Sequence, residues 1–202
     1  MDTALTKHQI TEKIASDSQG ALFATRNPDI IIRERGSFES AKTLPLAGIR
    51  NLLIPMQQLD SGGYALCIPE GVAAVPLGNL NYPACDDFIK SGGLTRRLGI
   101  LANIARCLME LHSLALIYGT LTAERVFVSA KPTSTDACLL YSSEITYAND
   151  AAEIESDSQS FWRLAYDILT FGETQNTLSP EMREFFKTEN PRLADFCKMV
   201  IA

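Results

Sequence analysis

The chain has 202 residues, 46% hydrophobic and 21% charged, enough apolar material for a compact unit with a sizeable core. A net charge of −6 and a pI near 5.0 argue against nucleic acid or an anionic membrane surface as the main partner. No apolar run reaches the roughly 18–20 residues that cross a bilayer, and MDTALTKHQITEK at the start has no signal-peptide apolar region.

The first 75 residues hold short apolar runs cut by Gly, Pro, Asn and Asp. ALFAT (21–25), DIIIRE (29–34), LLIPMQQL (52–59) and YALCIP (64–69) predict strands. MQQLDSGGYALCI predicts a hairpin turning at Asp60-Ser61-Gly62-Gly63. From Leu94 to Ser113, Leu98, Leu101, Ile104, Ala105, Leu108 and Leu111 recur at helical spacing, with Thr95 as a candidate cap. VFVS (126–129) and ACLLY (137–141) predict strands around the turn KPTSTD. SQSFWRLAYDILTF (158–171) predicts a buried helix that Gly172 closes, with Trp162 and Tyr166 in the core. SPEMREFFKT (179–188) and NPRLADFCKMVI (190–201) each begin with a capping residue followed by Pro. The cysteines Cys67, Cys85, Cys107, Cys138 and Cys197 form no CxxC pair, which predicts reduced, mostly buried thiols in a cytoplasmic protein. Two histidines argue against a His-based metal site. A β-rich part thus precedes a helix-rich part, and the expected class is α+β.

This order resembles the protein kinase-like superfamily across most of the chain. RLGILANIARCLMELHSLALIYGTLTAERVFVS is the most specific match: it looks like the long C-lobe helix ending in Leu-His-Ser, then the catalytic loop, then a strand. SDSQSFWRLAYDILTFG resembles the buried C-lobe helix, with Asp157 at its characteristic aspartate. KIASDSQGALFAT looks like the glycine-rich strand-turn-strand, and DIIIRE like the strand that carries the ATP lysine. The resemblance implies one small two-lobed kinase-like domain over 1–202, with a β-rich N-lobe (1–75) and a shortened helical C-lobe (76–202).

The catalytic residues depart from the family pattern. Kinases use a lysine on the phosphates, a loop Asp at the substrate hydroxyl, and an Asn and an Asp-Phe-Gly Asp on magnesium. Tyr118-Gly119-Thr120 stands at the His-Arg-Asp position, and the Thr120 hydroxyl is no base near neutral pH. Arg125 stands at the metal-binding Asn, and a guanidinium offers no acceptor to a cation. Tyr141-Ser142-Ser143 replaces Asp-Phe-Gly, with Asp136 and Glu144 flanking it out of register. Of the loop glycines only Gly20 remains, Ala15 and Asp17 replacing the others, and Asp17 would set a negative charge beside a phosphate. Ile31 narrows the adenine slot, and Arg33 keeps a cation at the lysine position with different geometry. Glu39 is the one obvious candidate for the glutamate that pairs with that cation.

His112 reads as a structural histidine and Glu124 as a solvated or ion-pairing residue. NDAAEIESDS (149–158) reads as a polar loop in place of an activation segment. Phe185, Phe186, Phe196 and Met199 either pack on the buried helix or need cover from a partner. The resemblance therefore implies a pseudokinase: no catalytic residue, no metal, no cofactor, and a role as a scaffold or regulator that binds another protein or a second copy. Small kinase-like proteins of this size resemble bacterial ones, including those that secretion systems deliver into host cells. The alternative is an atypical transferase on the same fold, with residual phosphotransfer, nucleotidyl or amino-acid transfer. A small-molecule sensor is a third reading.

Overall fold

The computed structural model describes residues 9–36, 38–60, 62–72, 76–77, 93–129, 131, 133–170, 180–188 and 191–201. The chain is α+β. The N-terminal part builds a five-stranded sheet from β1 (Ile10–Asp17), β2 (Gly20–Thr25), β3 (Ile30–Arg33), β5 (Pro55–Gln58) and β6 (Tyr64–Cys67), in the order β1-β2-β3-β6-β5. All four pairings are antiparallel. The centre of this sheet is β3, where Ile31, Ile32 and Arg33 are all buried. Ile31 faces Ala24 on one neighbour and Leu66 on the other, so its branched side chain packs into the sheet's own core.

LLIPMQQL is two strands, not the single strand expected. Leu52–Leu53 (β4) runs parallel to β9 (Ala137–Leu140), which also pairs with β8 (Val126–Val128) in a three-stranded sheet. Only Pro55–Gln58 joins the hairpin with β6. Ile54 separates the two and lets the chain change sheets, since a side-chain period of two is broken by one residue. Part of the expected N-lobe therefore belongs to a sheet of the second half. Leu59 and Gly63 close the hairpin through backbone bonds; Ser61, at its turn, lies outside the described residues. Between β3 and β4 lies a short helix, α1 (Phe38–Thr43).

The long helix α2 (Gly93–Ser113) buries Ile100, Leu101, Ile104, Ala105, Cys107, Leu108 and Leu111 along one stripe. Full burial of each Leu or Ile contributes about 1.5–3 kcal/mol. The helix begins at Gly93, so Thr95 lies inside its first turn rather than capping it. It ends where Ala115 takes a left-handed φ of 55° and the short strand β7 (Leu116–Ile117) pairs with β10 (Thr146–Tyr147).

The next helix, α3, runs from Ala151 to Thr170. AAEIESDS is thus its first two turns, not a polar loop. Asn149 explains the start: its backbone and side chain both donate to Glu153, and Glu153 N–H donates to Asp150, so the acidic residues satisfy the first turn. The polar composition reflects solvent on one side. Burial begins at Asp157 and continues through Phe161, Leu164, Ala165, Ile168 and Leu169. Tyr166 is 44% exposed and so is not core, because it falls on the outer face of a helix buried on one side only. Trp162 is half-buried. Helices α4 (Pro180–Lys187) and α5 (Leu193–Ile201) cover it: its ring meets Phe185, Phe186 and Phe196 at centroid distances of 5.4, 6.0 and 5.5 Å, and its Nε1–H donates to Pro191 O at 2.9 Å. Phe185, Phe186 and Met199 pack against the core, which places them on the molecule's own interior. Gly172, Ser179 and Asn190, expected as helix-end residues, lie outside the described residues, as does Cys85.

Among the described residues no helix is long and apolar enough to cross a membrane. Cys107, Cys138 and Cys197 are free and buried, and Cys67 is free and exposed. Burial pushes the Cys138 thiol up to about 12 and Cys107 upward as well, so both are protonated and chemically quiet.

Candidate functional site

The site begins with the turn between β1 and β2. Asp17 pairs with Gly20 across it, Gly20 takes a φ of +102°, and Gln19 N–H donates to Asp17 Oδ1 at 2.8 Å. That bond fixes the Asp17 carboxylate over the end of β3. There Arg33, fully buried, donates to both oxygens, Nη1 to Oδ1 at 2.7 Å and Nη2 to Oδ2 at 2.8 Å. Its Nη1 also donates to Gly20 O at 3.0 Å.

A second arginine reaches the same carboxylate from the other half of the chain. Arg125 ends the 3-10 turn Ala123–Arg125 and is 1% exposed. Its Nε donates to Asp17 Oδ2 at 3.1 Å. Nη2 donates to Glu144 Oε1 at 2.9 Å, and Nη1 to Thr120 O, Ser142 Oγ and Glu144 Oε2 at 2.7, 3.1 and 3.2 Å. Glu144 Oε2 also accepts Thr120 N–H at 2.9 Å. Gly119 permits this approach: it takes a φ of +87°, and a Cβ there would lie 2.9 Å from Glu144 Cβ. Gln19 completes the closure, donating to Ser142 Oγ at 2.8 Å and Glu144 Oε1 at 3.3 Å and accepting Ser143 N–H at 3.2 Å.

Two guanidinium groups and two carboxylates thus balance in charge within one partly buried network. The Arg125 bonds hold Glu144 far below its ordinary 4.5, at about 2, against a smaller opposing effect of burial. Burial raises Asp17, but the bonds and charge of Arg33 outweigh it and leave the carboxyl below its ordinary value. Burial likewise works against the Arg125 charge, and the bonds to Glu144 and Asp17 overcome it, so the guanidinium stays charged. A depressed carboxylate stabilises the fold above its unfolded pKa and loses that contribution as pH falls through the folded one. Stability should therefore drop between pH 4.5 and about 2 as Glu144 protonates. In Glu144→Gln the acid limb of a urea-midpoint-versus-pH curve should flatten over that interval; an unchanged limb would remove Glu144 from the network.

Below this network, the Asp157 carboxylate accepts Tyr118 N–H at 3.2 and 3.1 Å, Gly119 N–H at 2.9 Å and His112 Nε2–H at 2.8 Å. Tyr118 is fully buried and donates its hydroxyl to Leu140 O at 2.6 Å. Tyr141 is buried edge-on to Tyr64, with ring centroids 5.8 Å apart. The Thr120 residue is exposed and opens onto a cavity of about 480 Å³ that Gly119, Glu144, Ser160 and Arg163 also line.

Gly20, Arg33, Thr120 and Arg125 come together at the network; His112 and Asp157 form a separate tie beneath it. Glu39 does not take part. It is exposed and pairs with Lys42 at 2.9 Å, three residues along α1, while Asp17 takes the Arg33 partnership. Among the described residues no group of three or more His, Cys, Asp or Glu is placed to hold a metal ion. Sequence reasoning left Asp17, Gln19 and Glu144 without these roles. The available signal was the pair Arg33 and Arg125: two arginines on buried elements require acceptors, and Asp17 and Glu144 were the acidic residues flanking the same cleft positions.

The chain matches no protein-family model and no curated protein. The residues themselves carry what can be said of the site. Asp17 and Glu144 are each held by an arginine, and Asp157, which lines the same cavity as Glu144, is held by backbone N–H groups and His112.

Proposed function

We propose that this chain is a degenerate member of the protein kinase-like superfamily that has given up phosphotransfer and acts by binding another protein. The observation that carries the reading is the position of Arg125. It stands where the family resemblance expects a magnesium ligand, and it ties Asp17 and Glu144 into ion pairs. A cation entering there would meet a buried guanidinium instead of a free carboxylate. Asp17 supports the same reading, since it lays a negative charge against Arg33 where a phosphate would otherwise compete. The proposed place of action is the cytoplasm, of the producing cell or of a host cell into which the protein is delivered. Among the described residues β5 stands at the edge of its sheet, and with Met56 half exposed it is one surface that could receive a partner.

The test is a thermal-shift series with ATP, GTP and the other nucleoside triphosphates, with magnesium and with manganese. A ligand present at about 100 times its Kd adds about 2.7 kcal/mol to native stability. No shift is expected. A metal-dependent rise in Tm with any nucleotide would overturn the loss of phosphotransfer. A partner recovered by cross-linking should bind the purified chain equally well after Thr120→Ala, since the Thr120 backbone keeps its bonds to Glu144 and Arg125 and the side chain adds only the smallest of the effects on Glu144; a large loss of affinity would return function to the cleft.

A further inference from the structure

We propose that the Asp17–Gly20 turn is a latch, a unit that opens separately from the rest of the fold and whose closure covers a pair of arginine cations. The inference is independent of whether the chain binds a protein, because closure is wholly intramolecular. Three successive residues of one turn grip the opposite half of the molecule. Asp17 bridges Arg33 and Arg125, Ser18 Oγ accepts Arg125 Nη2–H at 3.4 Å, and Gln19 grips Ser142, Ser143 and Glu144. The turn lies at the tip of the β1–β2 hairpin, and Ser18 at its apex is exposed. Its hold on the second half of the chain is polar, made of hydrogen bonds and ion pairs, and such contacts are the ones that yield in local opening.

The surroundings favour a two-state element over a fixed plug. Arg33 is fully buried and Arg125 nearly so, yet Arg33 Nε and the Tyr64 hydroxyl beside it complete no hydrogen bond of good geometry. The closed arrangement therefore leaves two buried polar atoms poorly satisfied on β3 and β6, which are register partners at Arg33 and Tyr64. Opening would wet both, and it would set two guanidinium groups facing outward in a cationic pocket that is otherwise closed. Glu144 would remain on Arg125 through its own bonds, so Arg33 gains the larger share of the exposed charge.

Removing Asp17 strands the buried Arg33 charge and risks unfolding, so the decisive variant is Gln19→Ala, which frees the turn while leaving both ion pairs chemically intact. The readout is arginine modification by a dicarbonyl reagent followed by peptide mass spectrometry. Arg50 and Arg192, with side chains 83% and 79% exposed, serve as internal standards, and the buried Arg96 and Arg97 on α2 report any general loosening. In the wild type, Arg33 and Arg125 should react slowly. In Gln19→Ala both should react about five- to tenfold faster, the factor contributed by about one net hydrogen bond, with Arg96 and Arg97 unchanged. Unaltered rates at Arg33 and Arg125 would mean that the turn is not what covers them. A rise at only one would break the pair as a unit, and an equal rise at Arg96 and Arg97 would mean global unfolding; each of these outcomes overturns the latch.

Discussion

Asp17→Ala should lower folding stability by about 3–5 kcal/mol, the cost of leaving buried charges without their partner. Arg33 is fully buried and loses both Nη bonds to the carboxylate, keeping Gly20 O. Arg125 loses its Nε contact but retains Glu144, Ser142 and Thr120 O, so the larger share of the penalty falls on Arg33. That asymmetry makes the prediction sharp. Combining Asp17→Ala with Arg33→Met removes the stranded charge and substitutes an apolar chain of similar length in an apolar sheet. The double variant should recover much of the loss, since replacing a buried ion pair by packed apolar groups is often neutral or stabilising. Urea denaturation of the wild type, both single variants and the double variant forms a complete cycle. An Asp17→Ala cost below about 1 kcal/mol, the range of exposed pairs, would show that water reaches Arg33 and that the carboxylate is not its essential partner.

The network also decides which substitutions can test function cleanly. Arg125→Ala cannot separate structure from binding, because the side chain touches Asp17, Ser18, Thr120, Ser142 and Glu144. Thr120 takes part chiefly through its backbone, so its side chain can be removed with the backbone tie to Glu144 retained and only a minor side-chain bond lost. Deleting the chain beyond residue 179 is equally unsuited, since α4 and α5 cover Trp162 and supply Phe196 to the core.

The legible parts of the fold were those with strong local periodicity. The apolar spacing in α2 and the runs IIIR, YALC and ACLL each declare one element, because burial is governed by residues three or four apart in a helix and two apart in a strand. Three features were hidden. The split of LLIPMQQL depends on one residue, Ile54, where the chain passes between sheets, and an apolar run carries no mark of which sheet it serves. The first turns of α3 look like a loop because their stabilising bonds run from the Asn149 and Glu153 backbone N–H groups to the side chains of Glu153 and Asp150, not through an apolar stripe. The latch was hidden because its contacts with the second half of the chain join residues more than 100 positions apart. Asp17, Gln19 and Glu144 are ordinary surface residue types, and only the folded chain brings them together. Tyr166 was misplaced for a related reason: spacing of four sets it on the same side as Trp162, but Trp162 is itself at the margin of the buried stripe, so the next turn faces water.

Asp157→Ala should destabilise the protein by about 3 kcal/mol and leave surface properties alone. The carboxylate is 2% exposed and joins three segments: its own helix α3, the Tyr118–Gly119 backbone and His112 near the end of α2. Alanine would leave two backbone N–H groups and an imidazole without their acceptor, and a lost hydrogen bond to a buried charged group costs about 1.5–3 kcal/mol. Asp157→Asn separates charge from geometry. Its one amide oxygen can still accept from Tyr118 and Gly119 while its NH2 turns to a His112 nitrogen that has become an acceptor, so the cost should be roughly half. His112→Ala should cost less than either change at Asp157, because His112 is the more exposed partner and the backbone bonds survive its removal. Denaturation midpoints at pH 7 with unchanged m-values give the ranking directly. If Asp157→Ala leaves the midpoint in place, the aspartate is not what fixes α3 beneath the Tyr118–Gly119 loop; if Asn is as damaging as Ala, the charge rather than the acceptor geometry holds the loop there.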